Sequence, residues 1–341
     1  MASAYNLYSL LVSYTKTQVC IAACEMNLFD ILQDGPKTVG EISEIVDADT
    51  DRTEHILNAC VGMELLEKIQ DTDGEGCLFR NTPDSNKHLT SSSPLSMRPL
   101  FVGMGRTDYH LVGNLFHAVK EGNSQIPRTF GKRNYFDDLY RDSNEMKGFM
   151  SEMHSYSSVF MRELVSLFDL SPYTKVCDLG GCTGALGYAL TANYSKMTLT
   201  VLDLPDVIAL ADQFKSIDPK SEKVTFIASD FFEDPLPQSD LFVLSNIIHD
   251  WSEDRIALLL TKAYNALDTG GAIFIIEALY DDDKTGPVTT AAICMMMMAW
   301  FEGGKQRSAY EMTQLLEKHG FGDVEVKRSG SVFDAILAKK M

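Results

Sequence analysis

The segment KVCDLGGCTGAL, residues 175–186, is a short apolar run followed by glycines at positions 180, 181 and 184. Glycines at a strand-to-helix turn let a ligand approach the backbone closely. In a doubly wound α/β sheet, ligands lie beyond the carboxyl ends of the strands, where this turn is expected. A tight structural turn produces the same pattern, so the flanking segments must separate the two interpretations.

Four further apolar runs follow the glycine segment, with helical patterns between them. They read LTVLDLP, KVTFIASD, DLFVLSNII and GAIFIIEALY. Near-continuous apolar runs are expected for parallel strands that are buried on both faces. Alternation of strands and helices predicts a doubly wound α/β domain. The closing FGDVEVKRSGSVFDAILAKK contains two alternating strands around a Ser-Gly-Ser turn, which predicts a hairpin at one edge of the sheet.

The N-terminal third of the chain is mainly helical in pattern. Residues from about 37 to 85 predict a helix, a turn, a second helix and a wing-like strand pair, which together resemble a winged helix. DNA binding and a dimerisation or packing role are both compatible with this motif. The second helix, DRTEHILNACVGMELLEK, carries four acids and two bases. A helix in the major groove should be basic on its exposed face, so the packing role is favoured.

Composition excludes several classes of function. The chain has 341 residues, enough for about two domains and for a core that needs neither disulfides nor a structural metal. Its formal net charge of −18 argues against nucleic acid and anionic membranes as partners, because phosphate contacts require clustered Lys and Arg. No apolar window reaches the length of a membrane span, and no signal peptide is evident. Seven scattered cysteines without a CxxC motif indicate reduced thiols and a cytoplasmic location.

Carboxylates at the predicted strand ends indicate the kind of ligand. Asp203 ends the second strand, about 20 residues after the glycine loop, where an acid binds ribose hydroxyls. Asp230 ends the third strand and precedes Phe231 and Phe232, a combination that suits adenine. Asp178 lies just before the glycines, separated from them by Leu179, and would repel a pyrophosphate. S-adenosylmethionine carries an adenosine, a sulfonium and an ammonium but no phosphate, so these acids favour it over NAD or FAD.

Five motifs identify a family. DLGGCTGAL, VLDLPDV, SDFFEDPLP, NIIHDW and GGAIFIIEALYDDD occur in the order and near the spacing of class I small-molecule O-methyltransferases with a winged-helix dimerisation domain. MGRTDYHLVGNLFHAVKEG and SVFDAILAKK resemble the acetylserotonin (hydroxyindole) O-methyltransferase branch and its "-like" relatives. The resemblance implies a Rossmann-like seven-stranded sheet over residues 106–341, a dimerisation domain over residues 1–105, a homodimer built through that domain, and S-adenosylmethionine as methyl donor.

The resemblance also implies cofactor contacts at Tyr140, Gly180, Asp203, Leu204, Ser229, Asp230 and Phe231. Two positions depart from the family pattern in this region. Cys182 replaces the third glycine of the loop, a small change. Asn246 stands where the family usually has a basic residue, so it predicts a weaker, neutral contact to the cofactor.

His249 is the candidate general base. It follows the fourth strand, and Glu277 ends the core of the fifth, so adjacent strands can bring the two side chains together. A neutral histidine suits removal of a proton from a phenol-type hydroxyl, and a carboxylate on one ring nitrogen fixes the tautomer that leaves the other nitrogen free. Asp250 is the alternative partner, but adjacent side chains are expected to diverge, and it also fits an acid near the start of the next helix. A histidine satisfied within the core is the plain alternative.

In this interpretation the segment AAICMMMMAWFEGGKQRS lines the pocket that binds the acceptor. Met296 and Trp300 would line it, although plain core packing of the helix is equally compatible. The family usually has a glutamate at position 306 that flanks the histidine, and this chain has Gln306. Glu302 lies four residues earlier and is the candidate substitute. A glutamine cannot stabilise an imidazolium by charge, so the sequence predicts a weakened or differently supported base.

The sequence therefore predicts a cytoplasmic, homodimeric, S-adenosylmethionine-dependent O-methyltransferase without a metal. Its substrate would be a small aromatic hydroxyl compound, with N-acetylserotonin as the first candidate. Gln306 and Asn246 also fit a weakly active or non-catalytic relative that binds the cofactor. A winged-helix regulator and a magnesium-dependent catechol methyltransferase are disfavoured by the acidic second helix and by the large N-terminal domain with the HDW motif.

Overall fold

A computed structural model describes residues 3–71, 76–131, 142–215 and 222–341. The chain divides into two compact units, Met1–Thr107 and Asp108–Met341. Within the described residues, no helix has both the length and the apolar character needed to cross a membrane. All seven cysteines lie in the described segments, and none forms a disulfide.

The N-terminal unit consists of helices around a small antiparallel sheet. Its helices are α1 (Ala4–Glu25), α2 (Leu28–Ile31), α3 (Val39–Ile45), α4 (Thr50–Gly62), α5 (Pro83–His88) and α6 (Arg98–Arg106). Its strands are β1 (Lys37–Thr38), β2 (Leu66–Gln70) and β3 (Cys77–Asn81), in the order β1-β3-β2. Thr38 caps α3 in a capping box with Glu41, and Asp49 caps α4. The two helices followed by a strand pair have the predicted winged-helix order.

The second helix of this motif is shorter than predicted. It ends at Gly62 rather than continuing to Lys68, because Glu64 adopts a left-handed backbone conformation with φ of 60°. The chain then enters β2, where Leu66 is buried and pairs with Asn81 of β3. A short apolar run fits either a helix end or a buried strand, and pairing across the sheet decides for the strand here.

The C-terminal unit contains a seven-stranded sheet in the order β6-β5-β4-β7-β8-β10-β9. The strands are β4 (Lys175–Leu179), β5 (Thr198–Asp203), β6 (Val224–Ala228), β7 (Ser239–Ser245), β8 (Leu267–Glu277), β9 (Phe321–Lys327) and β10 (Asp334–Lys340). The first five are parallel, and β10 runs antiparallel to both β8 and β9. The predicted doubly wound sheet with a terminal hairpin at one edge is confirmed.

Helices of this unit connect the strands and cover the sheet. They are α7 (Asp108–Val112), α8 (Leu115–Glu121), α9 (Ile126–Phe130), α10 (Ser143–Tyr156), α11 (Ala185–Asn193), α12 (Pro205–Ala211), α13 (Glu253–Ala266), α14 (Val288–Trp300) and α15 (Ala309–Lys318). Two apolar clusters occupy the two faces of the sheet. Val176 belongs to one cluster and Cys177 to the other, so successive residues of β4 are buried on opposite faces, as expected for a central parallel strand.

The strand order places the ligand site. The first strand of the sheet, β4, has β5 on one side and β7 on the other. The connections therefore run in opposite directions from β4, which opens a crevice beyond its carboxyl end. The glycine segment that follows β4 lies at this crevice.

Candidate active site

A cavity of about 640 Å³ lies within the C-terminal unit at the carboxyl ends of the strands. The glycine loop after β4 and the residues after β5, β6 and β7 form part of its lining. On other sides the lining comes from α9, α10 and the end of α14. Of the predicted site residues, the cavity brings together Gly180, Asp203, Leu204, Ser229, Asp230, Phe231, Asn246, Trp300 and Glu302. Tyr140 lies outside the described residues.

The glycine loop is shaped by close packing and by Asp203. Gly180 and Gly184 have φ values of +71° and +75°, and a Cβ on Gly184 would lie 2.9 Å from the Phe226 ring. Cys182 also has a positive φ, and its backbone N–H donates to Asp203 Oδ2 at 2.9 Å. The other oxygen of Asp203 accepts from Leu204 N at 2.8 Å. Asp203 thus orders the loop in addition to facing the cavity, and burial raises its pKa to about 6.

Asp178 is the most exceptional acid of the cavity wall. Its carboxyl group is buried, and neither oxygen has a hydrogen-bond partner within the described residues. Burial and the nearby Asp203 raise its pKa to about 7. A Cβ on Gly181 would lie 2.5 Å from Asp178 Oδ2, so only glycine leaves room for the carboxylate beneath the loop. A buried acid without a partner is costly, and a bound cation would relieve that cost.

The remaining predicted cofactor residues lie on neighbouring loops. Asp230 Oδ1 accepts from Phe232 N at 2.8 Å, and Ser229 Oγ donates to Asp234 Oδ2 at 3.1 Å. Asn246 adopts φ of 56°, lines the cavity, and has a buried Oδ1 without a hydrogen-bond partner among the described residues. Its amide group therefore has unused hydrogen-bonding capacity at the cavity.

His249 and Glu277 form a buried pair at the ends of adjacent strands. His249 lies in a 3₁₀ turn after β7, and its Nδ1 contacts Glu277 Oε2 at 2.5 Å. The other oxygen of Glu277 accepts from the backbone N–H groups of Ile248 at 2.9 Å and His249 at 3.3 Å. One carboxylate thus holds both the turn and the ring. The contact with this carboxylate places a ring proton on Nδ1, and Nε2 is the nitrogen on the other side of the ring.

Asp250 lies against the second ring nitrogen, contrary to the expectation that adjacent side chains diverge. Its Oδ1 is 3.2 Å from His249 Nε2. Asp250 also lines the cavity, whereas His249 is 9% exposed and lies behind it. Burial opposes protonation of His249, but the carboxylates of Glu277 and Asp250 outweigh it and raise its pKa well above the usual value.

Arg307 is a site residue that the sequence interpretation missed. Its buried guanidinium donates to Ile248 O at 3.4 Å and to Glu253 Oε1 at 2.7 Å. Burial opposes ionisation of Glu253, but Lys305 and Arg307 lower its pKa to about 2. The backbone N–H of Lys305 donates to His249 O at 2.9 Å. The segment GGKQRS therefore supports the histidine turn through its backbone and through Arg307. The only signal for this role in the sequence was the presence of an arginine in this segment.

Glu302, Gln306 and Met296 are the remaining residues that the sequence interpretation singled out. Glu302 is exposed at the cavity and forms no hydrogen bond or ion pair with His249 within the described structure. Gln306 is buried, but its Nε2 has no hydrogen-bond partner among the described residues. Met296 is half-buried and is not among the described residues that line the cavity, because the turn of α14 directs Cys294 and Met297 into the core instead.

Family models match both units of the chain. Residues 112–322 match an O-methyltransferase domain, and residues 8–91 match an O-methyltransferase dimerisation domain. Acetylserotonin O-methyltransferase from Homo sapiens is 38% identical over 98% of this chain and 98% of its own length. The chain belongs to the O-methyltransferase family.

Further comparisons agree with this assignment. Acetylserotonin O-methyltransferase from Gallus gallus is 37% identical over 95% of this O-methyltransferase and 94% of its own length. The crystal structure of human N-acetylserotonin methyltransferase in complex with SAM matches with a TM-score of 0.94 at 36% identity, covering 100% of this chain and 98% of that one. The predicted family, its S-adenosylmethionine-dependent O-methyltransferase class and its acetylserotonin branch are confirmed.

Proposed function

We propose that this O-methyltransferase methylates the hydroxyl of a small aromatic acceptor, with a hydroxyindole such as N-acetylserotonin as the first candidate and His249 as the general base. The observation that carries the proposal is the buried His249–Glu277 pair, 2.5 Å apart, whose neighbour Asp250 faces the cavity. The relatives named as acetylserotonin O-methyltransferases support the choice of acceptor.

The acids of the cavity fit the methyl donor. S-adenosylmethionine supplies an activated methyl group on a sulfonium. Asp178 would hold a cationic group of the donor, because its carboxylate is buried and unpaired within the described residues. Asp203 and Asp230 would hold the adenosine beside Phe231. Asn246 would contact the donor through its free amide oxygen.

Asp178→Asn is expected to weaken S-adenosylmethionine binding by about tenfold or more, since it removes a charge-assisted contact. S-adenosylhomocysteine, which keeps the ammonium but lacks the sulfonium charge, should lose less affinity if Asp178 holds the sulfonium, and as much if it holds the ammonium. The ionised form of Asp178 holds the cation, and its pKa is about 7, so wild-type affinity should fall as the pH drops through that value. The variant should show a flatter profile. Titration calorimetry from about pH 5.5 to about pH 8.5, roughly 1.5 pH units on either side of this pKa, measures both effects.

Asp206→Asn is the matched control for this experiment. Asp206 is an exposed acid at the start of α12, close in sequence to Asp203. Its replacement should leave donor affinity and its pH profile unchanged. Equal affinities of the wild-type protein and Asp178→Asn at every pH would contradict the proposed role of Asp178.

The chain's own groups suffice for the proton step. The acceptor hydroxyl gives its proton to Nε2 of His249 while Glu277 holds Nδ1–H. The carboxylates on both sides then stabilise the imidazolium by charge. Asp250 lies at the cavity beside Nε2, so the hydroxyl must approach the ring past this carboxylate. The base is therefore supported by two acids, neither of which comes from the GGKQRS segment.

A methyl-transfer assay with a panel of acceptor compounds distinguishes this function from the alternative of a non-catalytic relative. Gln306, with a buried amide nitrogen unpartnered among the described residues, also fits a weakly active or non-catalytic relative. Transfer of labelled methyl to hydroxyindoles, phenols and flavonoids should show turnover with at least one class and the highest kcat/KM for a hydroxyindole. Donor binding without turnover of any acceptor would favour the non-catalytic relative.

The dimerisation domain supports a homodimer. The N-terminal half of α1 exposes a row of large apolar side chains within its own unit, namely Tyr5, Leu7, Tyr8, Leu10, Leu11 and Tyr14. An apolar patch of this kind marks a protein interface, and the matched dimerisation domain begins at residue 8. We place a second copy of the chain on this face.

A cytoplasmic location also belongs to the proposal, in agreement with seven cysteines that form no disulfide.

Leu7→Asp/Leu10→Asp is expected to weaken dimerisation by at least about tenfold, because two apolar anchors become charged. Sedimentation velocity over a dilution series measures the dissociation. Ser13→Asp, at an exposed polar position on the other side of α1, adds one charge to the same helix and should remain dimeric. A double variant that sediments as the wild-type dimer would exclude this face from the interface.

A further inference from the structure

Trp300 and Phe301 form an aromatic wall of the cavity at the end of α14. Both side chains line the cavity, and their rings stack with centroids 6.0 Å apart and an interplanar angle of 30°. Trp300 also packs against a small apolar cluster formed by Leu111, Ala118, Ile126 and Ala299. The orientation of the indole therefore shapes the space that an acceptor ring occupies.

One carboxylate holds the polar edge of this indole. Trp300 Nε1 donates to Asp108 Oδ1 at 2.6 Å, a contact between residues 192 positions apart in sequence. Hydrogen bonds to a carboxylate are shorter and stronger than bonds to a neutral acceptor. Burial raises the pKa of Asp108 to about 6, with the bond from Trp300 opposing the rise. No ion pair to Asp108 occurs within the described residues, so the indole N–H is its principal partner there.

The backbone at Trp300 is held by other residues. Ser124 Oγ donates to Trp300 O at 2.6 Å, and Gln125 N donates to Ala299 O at 2.8 Å. These bonds fix the end of α14 without involving Asp108. Loss of the Asp108 contact therefore removes the hydrogen bond at the edge of the ring and leaves the bonds of the helix end in place, which separates a role in ring orientation from a role in folding.

We propose that Asp108 is a specificity-determining positioning residue that selects flat bicyclic acceptors by fixing the indole of Trp300 at the cavity wall. The inference rests on the proposed function, because it assigns this wall to the acceptor. Neither residue touches the transferred methyl group or the base in this proposal. The expected effect is therefore on acceptor KM, with little effect on kcat or on donor KM.

Three variants test the proposal through acceptor kinetics. Asp108→Leu replaces the two carboxylate oxygens by methyl groups, which cannot accept the hydrogen bond, and should raise the KM for a hydroxyindole about tenfold, with kcat and donor KM changed by less than about threefold. Asp108→Asn keeps an oxygen that accepts from Nε1 and should stay near the wild-type KM. In a Trp300→Phe background, Asp108→Leu should cause no further change, since the bond is already absent. Additive effects of the two substitutions would overturn the proposal.

A spectroscopic readout separates this inference from the proposed function. The chain has two tryptophans, so Trp251→Phe leaves Trp300 as the sole emitter. In that background, Asp108→Leu should increase acrylamide quenching and lower the anisotropy of Trp300, whereas Asp108→Asn should do neither. Unchanged emission in Asp108→Leu would overturn the positioning role even if an acceptor is methylated. A protein that methylates no acceptor would contradict the proposed function, and quenching alone would then decide whether Asp108 holds the indole.

Discussion

Replacement of His249 by alanine is expected to lower kcat by about 10²- to 10⁴-fold, the usual contribution of a positioned general base. The acceptor hydroxyl would then have to lose its proton to solvent in a buried site. Affinity for S-adenosylmethionine should stay nearly unchanged, because His249 lies behind the cavity wall and contacts Glu277 and Asp250. Single-turnover kinetics with saturating donor, together with calorimetric donor binding, measure the two effects separately.

His319→Ala is the control for this substitution. His319 follows the last residue of α15 and does not belong to the cavity lining among the described residues, so its loss should leave kcat unchanged. Asp250→Asn sharpens the assignment. If His249→Ala retained wild-type turnover while Asp250→Asn lost it, the base would be Asp250, which lies between Nε2 and the cavity, and the histidine would be removed from the mechanism.

The pH profile of the wild-type enzyme follows from the same carboxylates. The base works only as neutral imidazole, and the carboxylates of Glu277 and Asp250 raise the pKa of His249 well above its usual value against the effect of burial. Activity is therefore lost as the pH falls through that raised pKa and gained as it rises. The acid limb of kcat/KM should lie above pH 6.5, the ordinary value for histidine.

Much of the sheet was predictable because its signals are local. Apolar runs, the glycines after β4 and the alternation with helices each depend on a few neighbouring residues, and the resulting strands agree with the structure. The proximity of His249 and Glu277 was predictable too, since parallel neighbouring strands end at one edge of the sheet. Helix ends were less predictable. The end of α4 depends on the left-handed backbone at Glu64 and on the pairing of β2 with β3. The spacing of apolar residues along the helix reveals neither.

The parts of the site that escaped prediction depend on geometry beyond sequence spacing. Asp250 lies 3.2 Å from Nε2 in a 3₁₀ turn, and this contact depends on side-chain conformations that sequence spacing does not contain. Met296 misses the cavity because the rotation of α14 is set by core packing. Asp108 and Trp300 meet across 192 residues. Asp178 was noticed for its position, but only the structure reveals that both oxygens lack a hydrogen-bond partner within the described residues.

Glu277→Gln is expected to lower kcat by at least about 10²-fold, because it reverses the tautomer of the base; a wrong tautomer in a catalytic triad costs about 10⁴. Glu277 Oε1 accepts two backbone N–H groups of the histidine turn, and Oε2 accepts from Nδ1. In the variant, the single amide oxygen stays with the backbone donors, and the NH₂ group faces Nδ1. The ring must then carry its proton on Nε2, the nitrogen that has to accept one.

A second outcome of Glu277→Gln tests the role of this carboxylate apart from the loss in rate. Removal of one carboxylate lowers the pKa of His249, so the acid limb of the residual activity should move to lower pH. Glu253→Gln is the control, because it removes an acid that bonds Arg307 beside the same turn. The acid limb of its pH profile should stay at the wild-type pH, since Glu253 does not contact the ring within the described structure. If Glu277→Gln kept full turnover and its acid limb stayed at the wild-type pH, the carboxylate of Glu277 would serve only to hold the turn. Asp250 would then be the group that sets the charge of His249.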